Sequence, residues 1–301
     1  MKYYIGIDLG GTNVRVAKID ENCNIIQEII KPSHGLKGPK ELIRDTIFSC
    51  LDEIKDIDKC EGIGIGVPGA IDPAKRVMTI SSNLVGFKDY PFADIVQEKY
   101  KIPCFIDNDA NAAGLAEALF GSGKNHSIVY YITHSTGIGG GLIINGKVIP
   151  GKLGYAGEVG NIIIDRGREK VNYLNAGAVE SEASGTAITR KAREIFKDDE
   201  IGGASDVFKL AIDGNNNAIK LIDDATKDFA QLLATIAHVI APDCFVIGGG
   251  VSKASDYYFP ILKKYFSSMV HESLRDTPIL KASLKEPGVL GAALLAKINL
   301  E

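Results

Sequence analysis

The hydrophobic and polar positions at the start of the chain follow the two-residue period of β-strands. Residues 3–9, 14–19 and 25–30 are rich in β-branched and aromatic side chains, and turn residues at 10–13 and 20–22 separate them. Alternation of this kind, interrupted by Gly, Asn and Asp, predicts strands joined by tight turns. The first thirty residues are therefore predicted to form a strand–turn–strand–turn–strand unit.

The same pattern returns near the middle of the chain. Residues 128–133, 138–144 and 147–149 are predicted strands, with a turn at 135–137 and a strong hairpin signal at Asn145-Gly146. Each copy carries glycine and threonine in its first turn. The repeat predicts two related α/β domains.

The remaining segments alternate helices with short buried strands. Apolar side chains at helical spacing predict helices over 39–54, 109–120 and 219–240. Further strands are predicted at 61–67, 102–106 and 244–247, the last of which runs into Gly248-Gly249-Gly250.

Composition excludes several broad classes of protein. The chain has 301 residues, of which 24% are charged and 45% hydrophobic, and its formal net charge is −4. These values are ordinary for globular proteins, and no basic surplus is present to bind nucleic-acid phosphates. The five cysteines form no Cys-x-x-Cys pair, which argues against a disulfide framework or a zinc site. No segment has the apolar character of a signal peptide or membrane span, so we expect a soluble cytoplasmic protein without membrane or nucleic-acid partners.

The glycine-containing turns are candidates for phosphate binding. Asp8 and Thr12 flank Gly10-Gly11 in the first copy, and Thr136 precedes Gly137 in the second. Glycine leaves backbone N–H groups open to an anion because no Cβ covers them. A structural hairpin explains either turn alone, but two copies in duplicated units favour a nucleotide bound by both. The chain lacks the Walker-type Gly-x4-Gly-Lys-Ser/Thr motif, and its second turn opens no helix as a Rossmann fingerprint would.

The junction of a predicted strand and helix at Asp107–Asp109 offers a catalytic candidate. Phosphoryl transfer to an alcohol needs positioning, charge neutralisation and a carboxylate that accepts the hydroxyl proton. Asp109 suits this role because amide dipoles at a helix N-terminus keep a carboxylate ionised. Asp107 and Asp109 could instead only cap the helix. The residues alone leave both interpretations open.

Several segments resemble the signature segments of the ROK sugar kinases, a family name that abbreviates repressor, open reading frame and kinase. In the expected order over essentially the whole chain they are GIDLGGT at 6–12, GIGVPG at 64–69, NDANA at 108–112, GIGGG at 137–141, GYAGEVG at 154–160, Glu180, and GGGVS at 248–252. The resemblance implies an α/β, two-domain actin/hexokinase-like (ribonuclease H-like) fold with sugar and Mg·ATP in the cleft between the domains. We assign residues 1–118 with a C-terminal helix at 287–301 to a small domain, and 119–286 to a large one.

The resemblance also implies a role for each matching residue. Asp109 would be the general base for the sugar 6-hydroxyl, and Asp8 would hold Mg²⁺ through water. The residues implied to bind the sugar are Gly69, Asn83, Asn108, Asp109, Glu158, Asn161 and Glu180. Those implied to bind ATP are Asp8, Gly10, Gly11, Thr12, Thr136 and Gly137 at the phosphates, and Gly248 and Gly249 at the nucleoside.

The chain departs from the family pattern at the positions of a zinc site. Asn161 stands where the family usually has a histidine that serves both zinc and sugar, and Val171, Tyr173 and Ala178 match the positions of its cysteines. Because Val and Ala cannot coordinate Zn²⁺, we expect ATP and Mg²⁺ as cofactors but no Zn²⁺, with apolar packing in its place.

The same departure bears on the sugar. In the family the position of Asn161 faces the C1/C2 side of the pyranose, and a carboxamide differs from an imidazole in reach and donor geometry. Because a smaller amide there can accommodate or recognise a 2-acetamido group, we expect a kinase of an N-acetylhexosamine, and first of all an N-acetylmannosamine kinase. The alternative is a glucokinase or another hexokinase of the family, such as a fructokinase.

Three other classes of function compete with a sugar kinase. A sugar-responsive repressor needs a DNA-reading module ahead of the first strand, and we expect none because that strand begins at Tyr3. An actin- or chaperone-like ATPase would not need Asn108-Asp109, Glu158 or Glu180. A non-catalytic sugar sensor would not need Asp109. The sequence thus predicts an ATP:sugar 6-phosphotransferase that acts on a small-molecule sugar, with a homodimer as a family expectation.

Overall fold

Strands and helices alternate along the chain. The structure, a computed structural model, describes residues 2–33, 39–72, 74–80, 84, 86–197 and 201–301. The strands are β1 (Tyr3–Leu9), β2 (Asn13–Asp20), β3 (Ile25–Pro32), β4 (Gly62–Val67), β5 (Ala70–Asp72), β6 (Val77–Ile80), β7 (Cys104–Asn108), β8 (Ile128–His134), β9 (Ile138–Ile144), β10 (Lys147–Val148), β11 (Cys244–Gly248) and β12 (Ile279–Lys281). The helices are α1 (Lys40–Leu51), α2 (Phe92–Tyr100), α3 (Asp109–Phe120), α4 (Val179–Ala183), α5 (Gly185–Phe196), α6 (Ala204–Ile212), α7 (Asn216–Ile240), α8 (Ser255–Met269) and α9 (Pro287–Leu300). None of the helices in the described ranges combines the length and hydropathy that crossing a bilayer requires.

The first of two compact units contains a five-stranded sheet in the order β3-β2-β1-β4-β7. β1 pairs antiparallel with β2 and parallel with β4, which in turn pairs parallel with β7. The register sets Asp8 beside Gly66 and Gly66 beside Asp107, so the carboxyl ends of three parallel strands share one edge. Ligands in α/β proteins bind outside such an edge. The unit consists of Met1–Ser127, Gly141–Gly157 and Ser283–Glu301.

The second unit comprises Ile128–Gly140 and Glu158–Ala282. In the second sheet, whose order is β10-β9-β8-β11-β12, β11 pairs parallel with both β8 and β12. The long amphipathic helix α7 starts earlier than the predicted 219–240, because the Asn215 side chain caps it by accepting two backbone N–H groups. The first turn of this helix is polar, so hydrophobic periodicity does not reveal it.

The two strand–turn–strand–turn–strand units of the sequence analysis are confirmed as β1–β2–β3 and β8–β9–β10. The strand predicted at 102–106 is displaced, because β7 begins at Cys104 and ends at Asn108. Pro103 has no N–H to donate to the strand ladder, which explains the later start. The later end brings Asn108 to the edge of the sheet.

The two compact units differ in places from the domains that we assign from the sequence. Residues 119–127, 141–157 and 283–286 lie in the first unit, whereas the sequence assignment gives them to the large domain 119–286. The helix at 287–301 lies with the first unit. The reason is local packing: the backbone of Gly154, for example, lies directly against Ile71 of β5.

Helix α9 packs against the first sheet with no side chain between the two backbones. A Cβ on Gly6 would lie 1.9 Å from the carbonyl oxygen of Val289, and one on Gly64 would lie 1.7 Å from that of Ala292. On another face, a Cβ on Gly291 would lie 1.7 Å from a carbonyl oxygen of α3. Glycine at these three positions therefore allows α9, β1, β4 and α3 to meet at backbone distance.

A buried carboxylate holds the segment that leads into α9. Glu117, near the end of α3, is fully buried and accepts the N–H groups of Ser122 at 2.9 Å, Ser283 at 3.0 Å and Leu284 at 2.8 Å. A buried carboxylate is stable only where donors satisfy its oxygens. Glu117 therefore fixes α3 to the chain just before α9.

The glycine contact yields a stability prediction. We expect Gly64→Ala to lower the free energy of unfolding by more than about 3 kcal/mol, because the new methyl group forces α9 away from β4. Gly11→Ala is the matched control, since nothing lies within 4 Å of a Cβ at that position. Denaturant unfolding of both variants measures the difference. A Gly64→Ala protein as stable as the control would contradict the packing described here.

Candidate functional site

The turn between β1 and β2 presents open backbone in the first unit. The N–H of Gly10 donates to the carbonyl of Asn13 at 3.0 Å, which closes the turn, while Gly11 and Thr12 are exposed. The carbonyl of Thr12 accepts the N–H of Ser33 at 2.9 Å. The turn is thus fixed by its own backbone, and its exposed residues are those predicted to contact phosphate.

Asp8 lies at the end of β1 against the first turn of α9. A Cβ on Gly288 would lie 2.6 Å from an oxygen of the Asp8 carboxylate. Burial raises the pKa of Asp8 to about 6, the positive charge of Arg15 opposes this shift, and the negative charge of Glu286 adds to it. The N-terminus of a helix favours the ionised carboxylate.

The surroundings of Asp8 fit Mg²⁺ better than an all-protein metal cage. Among the described residues, no group of three or more His, Cys, Asp or Glu side chains is placed to hold a metal ion. Mg²⁺ keeps several waters and commonly takes one or two carboxylates together with substrate phosphates. A single half-buried carboxylate beside an open glycine turn matches that requirement.

The junction of β7 and α3 gathers polar groups at the same sheet edge. The Asn108 side chain caps α3 by accepting the N–H groups of Ala110 and Asn111, and its amide nitrogen donates to the carbonyl of Gly69 at 3.0 Å. Asp109 is half-buried in the first turn of α3, and its carboxylate accepts the N–H of Ala110 at 2.8 Å. Asn108, rather than Asp109, is therefore the cap of this helix.

Asp107 differs from Asp109 in its surroundings. Its carboxylate accepts the N–H of Asn108 at 2.7 Å and the side-chain amide of Asn111 at 2.8 Å. Burial raises the pKa of Asp107, and these two hydrogen bonds oppose the rise. Asp107 thus stabilises the junction of β7 and α3 through these two hydrogen bonds. The structure brings Gly69, Asn108 and Asp109 together, as the sequence analysis expects, and Asn83 lies outside the described residues.

The corresponding turn of the second unit contacts a carboxylate directly. Glu180 of α4 accepts the N–H of Ile138 at 2.7 Å, and a Cβ on Gly137 would lie 2.6 Å from the same carboxylate. The carbonyl of Ser135 accepts the N–H of Gly185 at 2.8 Å. Exposed Thr136 and half-buried Gly137 therefore sit on a turn that α4 and the start of α5 hold in place.

Glu158 directly precedes the short 3₁₀ turn at Val159–Asn161, and Asn161 is its last residue. Burial raises the pKa of Glu158, and the charge of Glu180 raises it further; burial also raises the pKa of Glu180. The two carboxylates are therefore close enough to interact. The side-chain oxygen of Asn161 accepts the N–H of Asn175 at 2.7 Å, so this amide oxygen is already engaged within the protein.

β11 ends at Gly248, and the glycine run after it leads to a cavity of about 620 Å³ that lies wholly in the second unit and is lined by Gly250 but not by Gly248 or Gly249. This volume is in the usual range for small-molecule pockets. Gly249 has a φ of 87° and its backbone contacts the carbonyl of His134. Residues that line the cavity include Thr136, Gly185, Thr186, Gly203, Phe208, Gly250 and Lys253.

Sequence analysis missed part of this cavity. Thr186, Gly203 and Phe208 come from α5, α6 and the segment between them, which carry no recognisable ligand motif. Thr136 and the glycine run after β11 are predicted from the sequence. Thr186, Gly203 and Phe208 reach the cavity through packing between segments far apart in the sequence.

His134, just before the second turn, is a buried and neutral histidine. Its ring stacks on Phe229 with centroids 4.2 Å apart, and its Nε2 lies 2.8 Å from the carbonyl of Ala183. Nε2 must therefore carry the proton, and Nδ1 accepts from the hydroxyl of Tyr258 at 3.3 Å. Burial lowers the pKa of His134 to about 4. The residue ties the end of β8 to the end of α4.

Comparison with known sequences gives a consistent result. A family profile described as "ROK family" matches residues 4–299. A glucokinase of Thermotoga maritima is 30% identical over 97% of this chain and 96% of its own length. An N-acetylmannosamine kinase of Yersinia pestis is 29% identical over 98% of this chain and 99% of its own length.

Solved structures show the same fold. The ROK hexokinase from Thermus thermophilus matches with a TM-score of 0.88 and 29% identity over 99% of both chains. A ROK family glucokinase from Streptomyces griseus, in complex with glucose and AMPPNP, matches with a TM-score of 0.83 and 28% identity over 98% of this chain and 99% of its own. The actin/hexokinase-like fold expected from the sequence is confirmed.

The buried histidine predicts a pH-dependent stability. Because the pKa of His134 is about 4 in the folded state, below the ordinary histidine value of 6.5, the unfolded chain binds the proton more tightly. This residue should therefore remove up to about 3 kcal/mol of stability as the pH falls from 6.5 to 4. We expect His134→Gln to abolish that part of the loss in denaturant unfolding at pH 7.5, 5.5 and 4.5. His238→Gln, which replaces an exposed histidine, is the control; equal pH dependence in both variants would contradict this role.

Proposed function

Because the chain belongs to the ROK family, we propose that it transfers the terminal phosphoryl group of ATP to the 6-hydroxyl of glucose. Its relatives support an ATP-dependent sugar kinase, since they carry the names of glucokinases and N-acetylmannosamine kinases, and one structure of the family holds glucose with AMPPNP. The observation that carries the proposal is made at the edge of the first sheet. Half-buried Asp109, at a helix N-terminus, lies at the carboxyl ends of the parallel strands, and Asp8 lies at the same edge.

The residues of the first unit would act on the hydroxyl and on the metal. Asp109 would accept the proton of the 6-hydroxyl as its oxygen attacks the terminal phosphorus and the bond to ADP breaks. Asn108, already fixed by Gly69 and by the first turn of α3, has a second amide N–H that would donate to a neighbouring sugar hydroxyl. Asp8 would hold a magnesium-bound water. When bound, Mg²⁺ offsets negative charge on the phosphates.

The residues of the second unit would bind the rest of the two substrates. The backbone of the Thr136-Gly137 turn would contact phosphate, and the cavity beside Gly248 and Gly249 would receive the nucleoside. Glu158 and Glu180 would accept hydrogen bonds from sugar hydroxyls. Glu180 is half-buried whereas Glu158 is exposed, so a bond to Glu180 would discriminate better.

The choice of glucose over N-acetylmannosamine rests on the named relatives. Glucokinases match at 30% and 31% identity, against 29% for the N-acetylmannosamine kinases. The N-acetylmannosamine kinase expected from the sequence remains the second candidate, because Asn161 is smaller than the family histidine. The homodimer and the cytoplasmic location remain predictions.

The general base gives the first functional prediction. We expect Asp109→Asn to lower kcat by about 100- to 10,000-fold with little change in the KM of the sugar, because the amide cannot accept the proton. A coupled assay of ADP release measures both constants. Asp107→Asn is the matched control and is expected to retain most of the wild-type kcat. If the control lost more activity than Asp109→Asn, the assignment of the base would be wrong.

The identity of the substrate gives the second functional prediction. We expect kcat/KM for glucose to exceed that for N-acetylmannosamine by tenfold or more, which corresponds to about 1.4 kcal/mol. The same assay, run on a panel of hexoses and N-acetylhexosamines, measures the ratio. A preference for N-acetylmannosamine would restore the second candidate, and turnover of neither class would reject a hexose kinase.

A further inference from the structure

The loop at 162–178 lies between two groups of residues proposed to bind the sugar: Glu158 and Asn161 before it, and Glu180 after it. It starts directly after Asn161 and ends just before α4, which carries Glu180. Its two ends are joined by backbone pairing, since the N–H of Ile164 donates to Gly177 at 2.9 Å and the N–H of Val179 donates to Ile162 at 2.9 Å. Any displacement of this loop therefore moves Asn161 and α4 together.

The residues in this loop do not fit the zinc that the family resemblance implies there. Val171 and Ala178 have no donor atom, and Tyr173 is 67% exposed. Asn161 already uses its side-chain oxygen on Asn175. Zinc in structural sites requires four N, S or carboxylate ligands, which this set cannot supply.

An ion-pair network holds the loop instead. The guanidinium of Arg168 reaches both oxygens of Asp228 on α7, with Nη2 at 2.8 Å from Oδ1, and it lies 3.0 Å from the carboxylate of Glu182 on α4. Lys191 of α5 approaches Glu182 at 2.6 Å. With Asp165 of the same loop, 3.3 Å from Nε of Arg168, two positive charges face three carboxylates. The carboxylates of Asp228 and Glu182 raise the pKa of Arg168 further above its already high value.

The burial of two carboxylates in this network restricts the geometry in which Arg168 can bind them. The side chains of Asp228 and Glu182 are each only 9% exposed, so neither is compensated by water. A planar guanidinium with fixed donors matches a carboxylate in two bonds, which a lysine cannot do. Arg168 therefore joins the middle of the loop to α4 and to α7 in one geometry, and Gln231 of α7 adds a bond to the carbonyl of Ile164 at 2.8 Å.

We propose that Arg168 is a positioning residue that holds the 162–178 loop, and with it Glu158, Asn161 and Glu180, through Asp228 and Glu182 in place of a metal ion. The inference rests on the sugar-kinase function proposed above for its effect on the sugar. Arg168 itself does not touch substrate. Its loss should therefore weaken sugar binding more than nucleotide binding, because α4 carries Glu180 and contacts the phosphate turn through that residue.

The test compares Arg168→Ala, Arg168→Lys and Asp228→Asn with the wild-type protein. For Arg168→Ala we expect a KM for the sugar raised tenfold or more, a KM for ATP raised by a clearly smaller factor, and faster amide hydrogen exchange in 162–178 but not in β1 or β4. Arg168→Lys should recover part of both effects. Lys220→Ala, which removes an exposed ion pair with Asp224 on α7, is the matched control and should change neither.

Several outcomes would overturn the proposal. They are unchanged exchange in 162–178 with an unchanged KM for the sugar, an equal rise in both KM values, or one zinc per chain in the purified wild-type protein together with faster loop exchange after a chelator. If Arg168→Ala does not fold, Arg168→Lys and Asp228→Asn provide the same comparison. If the wild-type protein phosphorylates no sugar, the proposed function fails, while exchange and zinc content still decide the role of Arg168.

Discussion

The contact between the backbone of α9 and the first sheet is the constraint on which the candidate site depends. With Gly6 and Gly64 beneath it and Gly291 facing α3, the helix reaches β1, β4 and α3 at distances that no side chain would allow. Its first turn then lies against Asp8, and α3 is held with its N-terminus at the same sheet edge. A single additional methyl group at this contact would displace several functional groups at once.

Each unit uses its backbone to fix a carboxylate. In the first unit the N–H of Ala110 binds Asp109, and in the second the N–H of Ile138 binds Glu180. These bonds restrict the carboxylates without neutralising them. In both units the glycine turn stays accessible while its neighbours are packed, which suits a site that binds an anionic donor and a polar, uncharged acceptor.

The loop at 162–178 shows how one structural task can be performed by different chemistry. Where the family resemblance implies a metal, this chain has Val171, Tyr173 and Ala178, and a partly buried Arg168 forms ion pairs with two helices. The sequence analysis expected apolar packing as the replacement; Ile164, Leu174 and Ala178 are buried, and the ion pairs add to this packing. Glu182 and Asp228 explain the ion pairs, because a buried carboxylate needs donors and Arg168 supplies them.

The sequence by itself determined the repeated strand units, the glycine turns, the strand–helix junction at Asp109 and the family, because these are local patterns of period, turn chemistry and short motifs. Only the tertiary structure decided that Asn108 caps α3, that His134 joins β8 to α4, and that Arg168 meets Asp228 from sixty residues away. Contacts of this kind depend on how distant segments pack. A hydrophobic pattern fixes which face of an element is buried, but not which polar group it will meet there.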